Sequence, residues 1–322
     1  MAQIALIGLG AGAASALLFA SVASGSLISI LLFYLAPLPI LIAALGWSHW
    51  SALVAAICAA AGLAIALGGY FFFAFLLGVG LPAWWLGYLT LLARPGAAGG
   101  LDWYPIGRIV LWAAILGALV VVAAIPTLGL DEQTFRATLR RGFERIISAP
   151  DQPPSPIPRT GDPVTTDRLI DFLVSVIPPA AAVLSTVINL INLWIAGKAV
   201  RLSGRLPRPW PDLASEIRLP AVTAGLLAAG IVACFVSGLI GIIAAVLVAT
   251  LLVIYALAGL AVLHVITRGM TSRGLLLGGI YTALIIFGWP VLLLTMFGLV
   301  DAALDLRARF APKGGPPSTP HT

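Results

Sequence analysis

Charge is what this sequence has least of. Only 9% of its 322 residues are Asp, Glu, Lys or Arg, and none occurs before Arg94, with Asp102 the first acidic residue. A chain that is 61% hydrophobic with so little charge cannot cover a soluble globule with polar surface, which leaves a polytopic membrane protein. Cysteine is scarce as well. Cys58 and Cys234 each lie deep in an apolar run with no CxxC or Cys/His spacing, which argues against a disulfide framework or a zinc site. The leading MAQIALIG lacks the positive region that precedes the apolar core of a cleavable signal, so the first apolar run is expected to stay as a span.

Nucleotide and catalytic motifs lack their decisive residues too. Gly8, Gly10 and Ala13 have the spacing of a dinucleotide-binding loop, yet no acidic ribose ligand occurs before Asp102. Gly197 and Lys198 are followed by Ala199 where a Ser or Thr would hold magnesium, and no glycine-rich loop precedes them. No Ser-hydrolase elbow, HExxH or intramembrane carboxylate dyad is present. The chain is therefore read as non-enzymatic, without a cofactor or a nucleic-acid partner. Its formal charge of +6 comes from arginines between the apolar runs, where they meet the headgroups of the lipid bilayer.

What is present is apolar length. A helix needs about 20 apolar residues to cross the hydrocarbon layer. Runs near 4–22, 27–45, 51–68, 70–92 and 108–126 meet that measure, followed by 172–197, 220–238, 241–266 and 275–300. They are continuously apolar rather than alternating, as helices require and a barrel does not. The expected fold is all-α, a polytopic transmembrane helix bundle of eight or nine spans with a central interfacial amphipathic helix. Residues 1–126 form an N-terminal helix group, 127–167 the amphipathic helix and a Pro-rich linker, 168–309 a C-terminal helix group, and 310–322 a disordered tail. In the central part Phe135, Leu139, Phe143 and Ile146 recur at helical spacing beside arginines, as in helices that lie on a membrane surface. The stretch APDQPPSPIPRTGDPVTT reads as an extended linker.

The basic loop with Lys198, Arg201, Arg205, Arg208 and Arg218 is the firmest cytoplasmic segment. Nine crossings nevertheless divide the basic residues equally between the two sides, because Arg307, Arg309 and Lys313 then fall opposite that loop. A re-entrant or interfacial run would return them to it. At the end of the last run Asp305 and Arg309 stand at i, i+4 on an expected helical extension. Trp84 with Trp85, and Trp103 with Tyr104, are expected to anchor helix ends at the interface. Asp171 and His264 are expected near span ends.

Two features stand out as sites. Gly8, Gly12, Ala16 and Ala20 repeat at four-residue spacing, a stripe that lets another helix approach closely. Ser185, Asn189 and Asn192 share one face of an otherwise apolar helix, either tying helices together or lining a solute or ion site.

Several stretches together carry a resemblance: LPAWWLGYLTLLAR at 81–94, WYPIGR at 103–108, the segment from Pro178 through AGKAVRLSGRLP, EIRLP at 216–220, LAGLAVLHVITRG at 257–269 and GLVDAALDLRAR at 298–309. In these the chain resembles the YybS-like bacterial predicted membrane proteins, also called domain of unknown function 2232. The resemblance implies a multi-pass protein of the bacterial inner membrane, distantly similar to the substrate-capture subunits of energy-coupling-factor transporters. Such subunits borrow a separate ATPase and present small residues of their first helix to a membrane partner, as Gly8, Gly12, Ala16 and Ala20 do in this reading. Those subunits usually have about six spans, so the added helices here set a direct transfer of their pocket aside. The expected function is a transport-component-like membrane protein that captures a small solute. The alternative is a scaffold or assembly protein that binds other membrane proteins without a solute, with an intramembrane enzyme the least supported class. Alkaline phosphatase fused at Gly204 is expected to be inactive and a fluorescent protein there bright; the reverse pair of signals would invert the orientation.

Overall fold

The computed structural model describes residues 2–96, 100–148 and 163–310 and is helical nearly throughout. The first helix, α1 (Ala2–Ala20), ends in a 3-10 turn (Ser21–Ser24). The second crossing is in two pieces, α2 (Leu27–Tyr34) and α3 (Pro37–Gly46). Pro37 and Pro39 have no N–H to offer the carbonyls a turn behind them, so the helix breaks at Leu35–Ala36 in the middle of the crossing. After α4 (His49–Leu67), one path runs through α5 (Tyr70–Phe75), a π turn (Leu76–Gly80) and α6 (Leu81–Thr90). Ahead of Pro82, which has no N–H to donate, the turn widens and the Leu81 N–H reaches the Leu76 carbonyl five residues back.

A short antiparallel hairpin follows, β1 (Ala93–Pro95) with β2 (Leu101–Trp103), pairing Arg94 with Asp102. It is an addition to the all-α expectation. The chain continues through α7 (Ile106–Leu128), α8 (Glu132–Ser148), α9 (Pro163–Leu202), the single turn α10 (Leu213–Glu216), α11 (Val222–Ala233), α12 (Leu239–Ile266), α13 (Arg273–Phe287), α14 (Pro290–Leu304) and α15 (Leu306–Phe310). The linker 149–162 and the tail beyond Phe310 lie outside the described residues. Pro163 to Thr166, read as linker from sequence, begin α9, with Pro163 where a helix needs no N–H.

Among the described residues, seven helical segments are long and apolar enough to cross a membrane: Ala2–Ser24, Leu27–Gly46, His49–Leu67, Tyr70–Thr90, Ile106–Leu128, Asp167–Leu202 and Leu239–Ile266. They correspond to seven of the nine expected runs. Run 220–238 holds only the 12 residues of α11, about 18 Å of helix. Run 275–300 breaks at Gly288, whose φ of 68° turns the chain just ahead of Pro290. From there α14 runs beside α12 in the same direction: the Thr295 hydroxyl donates to the Leu252 carbonyl, and Gly298 lies against Tyr255 and Gly259. A Cβ on Gly259 would fall 1.9 Å from the Leu294 oxygen and one on Gly298 2.0 Å from the Tyr255 oxygen, so only glycine at both positions permits this approach.

The pair α13–α14 is therefore a hairpin with both ends at one end of the bundle. The same end holds the loop after α9, because Arg268 pairs with Asp212, Arg218 with Asp305, and Arg307 donates to the Ala214 and Ile217 carbonyls. Arg94, Arg108, Lys198, Arg201, Arg205, Arg208, Arg218, Arg268, Arg273, Arg307 and Arg309 gather there. Arg136, Arg140, Arg141, Arg145 and Arg168 are the described basic residues at the other end, so the equal division of charge disappears once 273–304 is a hairpin.

Helix α9 is 40 residues long, about 60 Å and twice the hydrocarbon thickness. Its first turns give α8 a wall to dock on: Phe135 is buried, Arg136 donates to Ser175, and Arg140 bridges Asp167 and Asp171. Two of the arginines expected among headgroups thus face α9. The stripe on α1 packs on the alanine face of α4, where a Cβ on Gly12 would lie 2.7 Å from the Ala55 carbonyl oxygen; Ala16 and Ala20 are half-buried along it. Trp84 and Trp85 are half-buried and pack against the core, their ring N–H groups buried without partners among the described residues.

The expected Asp305–Arg309 pair does not form. The helix stops at Leu304, Asp305 takes a left-handed turn (φ 47°), and Arg307 folds back onto Asp301 at 2.7 Å with both side chains buried. Replacing Arg307 by Met leaves Asp301 buried without its cation and is expected to cost about 3–5 kcal/mol, read as a large fall in thermal stability in detergent. Asp305→Asn removes only an exposed pair with Arg218 and is expected to cost about 1 kcal/mol or less. Equal stability of the two variants would refute this assignment.

Candidate functional site

The basic end of the bundle encloses two adjoining cavities. The first, about 440 Å³, lies between α7, α9 and α12, whose walls are Ile109 and Val110, Leu190 and Leu193, and Leu257 and Ala261. Its floor is the loop after α9, with Trp210, Leu213 and Ile217. The only polar side chains on its surface are Thr90, Arg208, His264 and Tyr281, beside the Trp210 and Trp194 ring N–H groups. Ile191, Trp194 and Tyr281 line it while remaining about half exposed, so it opens sideways between α9 and α13, where lipid would lie. His264 closes the rim. Its Nδ1 lies 3.0 Å from the Leu260 carbonyl oxygen and its Nε2 3.4 Å from the Tyr281 hydroxyl.

The second cavity, about 890 Å³, has a mixed lining that includes charged side chains and lies against the β1–β2 hairpin. Arg94, Arg108 and Arg208 line it with Asp102 and Glu216. Arg208, Trp210 and Pro211 belong to both cavities, which makes the Arg208 guanidinium the junction between an apolar chamber and a basic mouth. Only 6% of Arg208 is exposed. Its sole hydrogen bond among the described residues runs from Nη1 to the Thr90 carbonyl at 3.1 Å, and the Glu216 carboxylate stays 3.9 Å away. Burial pushes its pKa below the ordinary arginine value, with the Glu216 charge opposing that shift. Arg108 is exposed and has no ion-pair partner among the described residues.

Why the loop adopts this form is legible locally. Pro207, Pro209 and Pro211 alternate in RLPRPWPDL, so the backbone cannot become helical and carries Arg208 and Trp210 across the mouth. Trp210 is clasped by Lys198 and Arg201, and Trp103 of the hairpin lies 5.9 Å from Arg208. Asp212 accepts from Ser215 and pairs with Arg268, fastening the far side of the loop to the end of α12; these contacts hold its carboxyl below the usual range.

The residues selected from sequence occupy another place. Asn192 is buried and donates through Nδ2 to the Tyr34 carbonyl at 2.9 Å and to the Ile188 carbonyl at 2.9 Å. The Tyr34 carbonyl is freed by the break before Pro37, and the Ser15 hydroxyl of α1 donates to the Ala36 carbonyl at the start of α3. Asn189 is buried with no hydrogen bond among the described residues, and Ser185 is half-buried. Thr186, not Ser185, stands on the fully buried side, donating to the Ala182 carbonyl. Ser185, Asn189 and Asn192 reach the wall of neither cavity. Sequence reasoning placed Arg208 only in the basic loop and did not single out Trp210; the alternating prolines around them were the available signal.

Asn192→Leu is expected to cost about 1 kcal/mol in unfolding from bicelles, with Ser15→Ala similar, because each removes an interhelical hydrogen bond to a carbonyl at the break. Unchanged unfolding in both variants would show that the break is held without them.

No curated protein and no solved structure matches the chain. A family model described as a predicted membrane protein matches residues 13–302, nearly the whole chain, and the protein belongs to that family, DUF2232.

Proposed function

We propose that this protein is a non-enzymatic, transport-component-like membrane protein that takes a hydrophobic or amphiphilic small molecule sideways from the bilayer into the chamber between α7, α9 and α12. One observation carries the reading: a 440 Å³ cavity with an almost wholly apolar wall and one buried cation at its inner end. That volume lies within the usual range of small-molecule sites, and a few polar groups in an apolar wall are what orient such ligands. On this reading the membrane is the bacterial inner membrane and the basic end faces the cytoplasm, where the charge bias favours it. Movement of a solute would then draw on a separate ATPase or another membrane partner. The α1 stripe is already engaged by α4, so a coupling partner would bind elsewhere.

Native mass spectrometry of the detergent-purified protein tests the reading. The wild type is expected to retain an amphiphile that Ala261→Trp, which fills the chamber, releases several-fold. Ile191→Trp, at the exposed rim, should reduce retention without disturbing the core. An equal bound complement in all three proteins would overturn the proposal.

A further inference from the structure

The geometry points to a phosphate-bearing lipid as the occupant, with its acyl chain in the apolar chamber and its phosphate at Arg208, facing the basic mouth. This rests on the capture reading above and adds the chemistry of the head. Three observations carry it. Arg208 is almost fully buried, yet most of its donors have no acceptor among the described residues, and it lies on the wall shared by both cavities. None of its nitrogens is shut away from the cavity space, so the free donors stay open to an incoming anion, and the planar fork suits phosphate oxygens. Glu216, at 3.9 Å, lies beyond hydrogen-bond distance and does not fill that role.

The second observation is the charge of the mouth. Its lining holds three arginines against two carboxylates. Asp102 is taken up by Arg94 at 3.7 Å, while Arg108 has no ion-pair partner among the described residues, so the excess positive charge sits beside Arg208. The third is the division of chemistry. The chamber on the lipid-facing side of Arg208 is almost wholly apolar and the cavity on its other side carries charged side chains, which is the order of tail, phosphate and outer headgroup in a lipid entering sideways. A free anion would leave the apolar chamber unused.

The test uses the full chain in detergent and lysolipids with a dibrominated acyl chain, which quench nearby tryptophans; Trp194 and Trp210 line the chamber. Dibrominated lysophosphatidic acid is expected to quench saturably and about ten-fold more tightly than the monoacylglycerol with the same chain, the scale of one charge-assisted hydrogen bond. Trp210→Phe should remove a large part of that quenching. Arg208→Gln should bring the affinities for the two ligands within about two-fold of each other. Arg208 also holds the Thr90 carbonyl, so Arg108→Gln is the companion variant. It is exposed and is expected to weaken only the phosphate lipid, with a thermal midpoint equal to wild type. Equal affinity for the phosphate lipid and the monoacylglycerol in the wild type would overturn the headgroup assignment while sparing the chamber. Quenching by neither would overturn the capture reading itself. Inorganic phosphate competing as effectively as the lysolipid would reassign the mouth to a free anion, and a dibrominated fatty acid binding as tightly would replace phosphate by carboxylate.

Discussion

The buried pair between Arg307 and Asp301 is the contact on which the basic end depends. Two opposite charges in a low-dielectric setting hold only when the remaining donors are also met. Here Arg307 gives its other N–H groups to the Ala214 and Ile217 carbonyls. Those two residues are part of the cavity wall. One guanidinium therefore joins the returning arm of the α13–α14 hairpin to the floor of the chamber, and Arg218–Asp305 and Arg268–Asp212 reinforce the connection from the outside.

A second constraint comes from proline within the membrane. Backbone carbonyls that lose their helical donors in lipid need another one. At the α2–α3 break Asn192 supplies it from α9 while Ser15 of α1 bonds the Ala36 carbonyl at the start of α3, so a defect in one helix becomes a junction of three. The mid-span asparagine thereby acquires a structural account, while the site with room for a ligand lies toward the basic end. There, alternating prolines prevent the loop from coiling and the chain crosses the mouth in extended form.

Much of the architecture was legible from hydropathy. Seven runs long enough to span are helices, and the tight α1 stripe was visible as a four-residue repeat of small side chains. Local turns decided what the overall apolar character left open. Gly288 with Pro290 folds the last run into a hairpin, the re-entrant alternative that the division of basic residues had raised, whereas Asp305 took a left-handed conformation that sent Arg307 back to Asp301 instead of allowing Arg309 to meet Asp305. Trp84 and Trp85 resemble interfacial anchors by type, and each is half-buried against Tyr88, with Trp85 also meeting Trp112.

From sequence alone, membrane residence, helical class and most crossings follow, because the cost of exposing apolar surface to water and unpaired backbone to lipid is a local property of each run. Which arginine is buried, which loop roofs which cavity, and on which side the last segment returns are decided only by tertiary structure. Arg208 and Arg218 occur in the same basic loop, but one is enclosed at the junction of two cavities and the other exposed in a surface pair. That difference arises from distant helices arriving around them, and no window of sequence contains it.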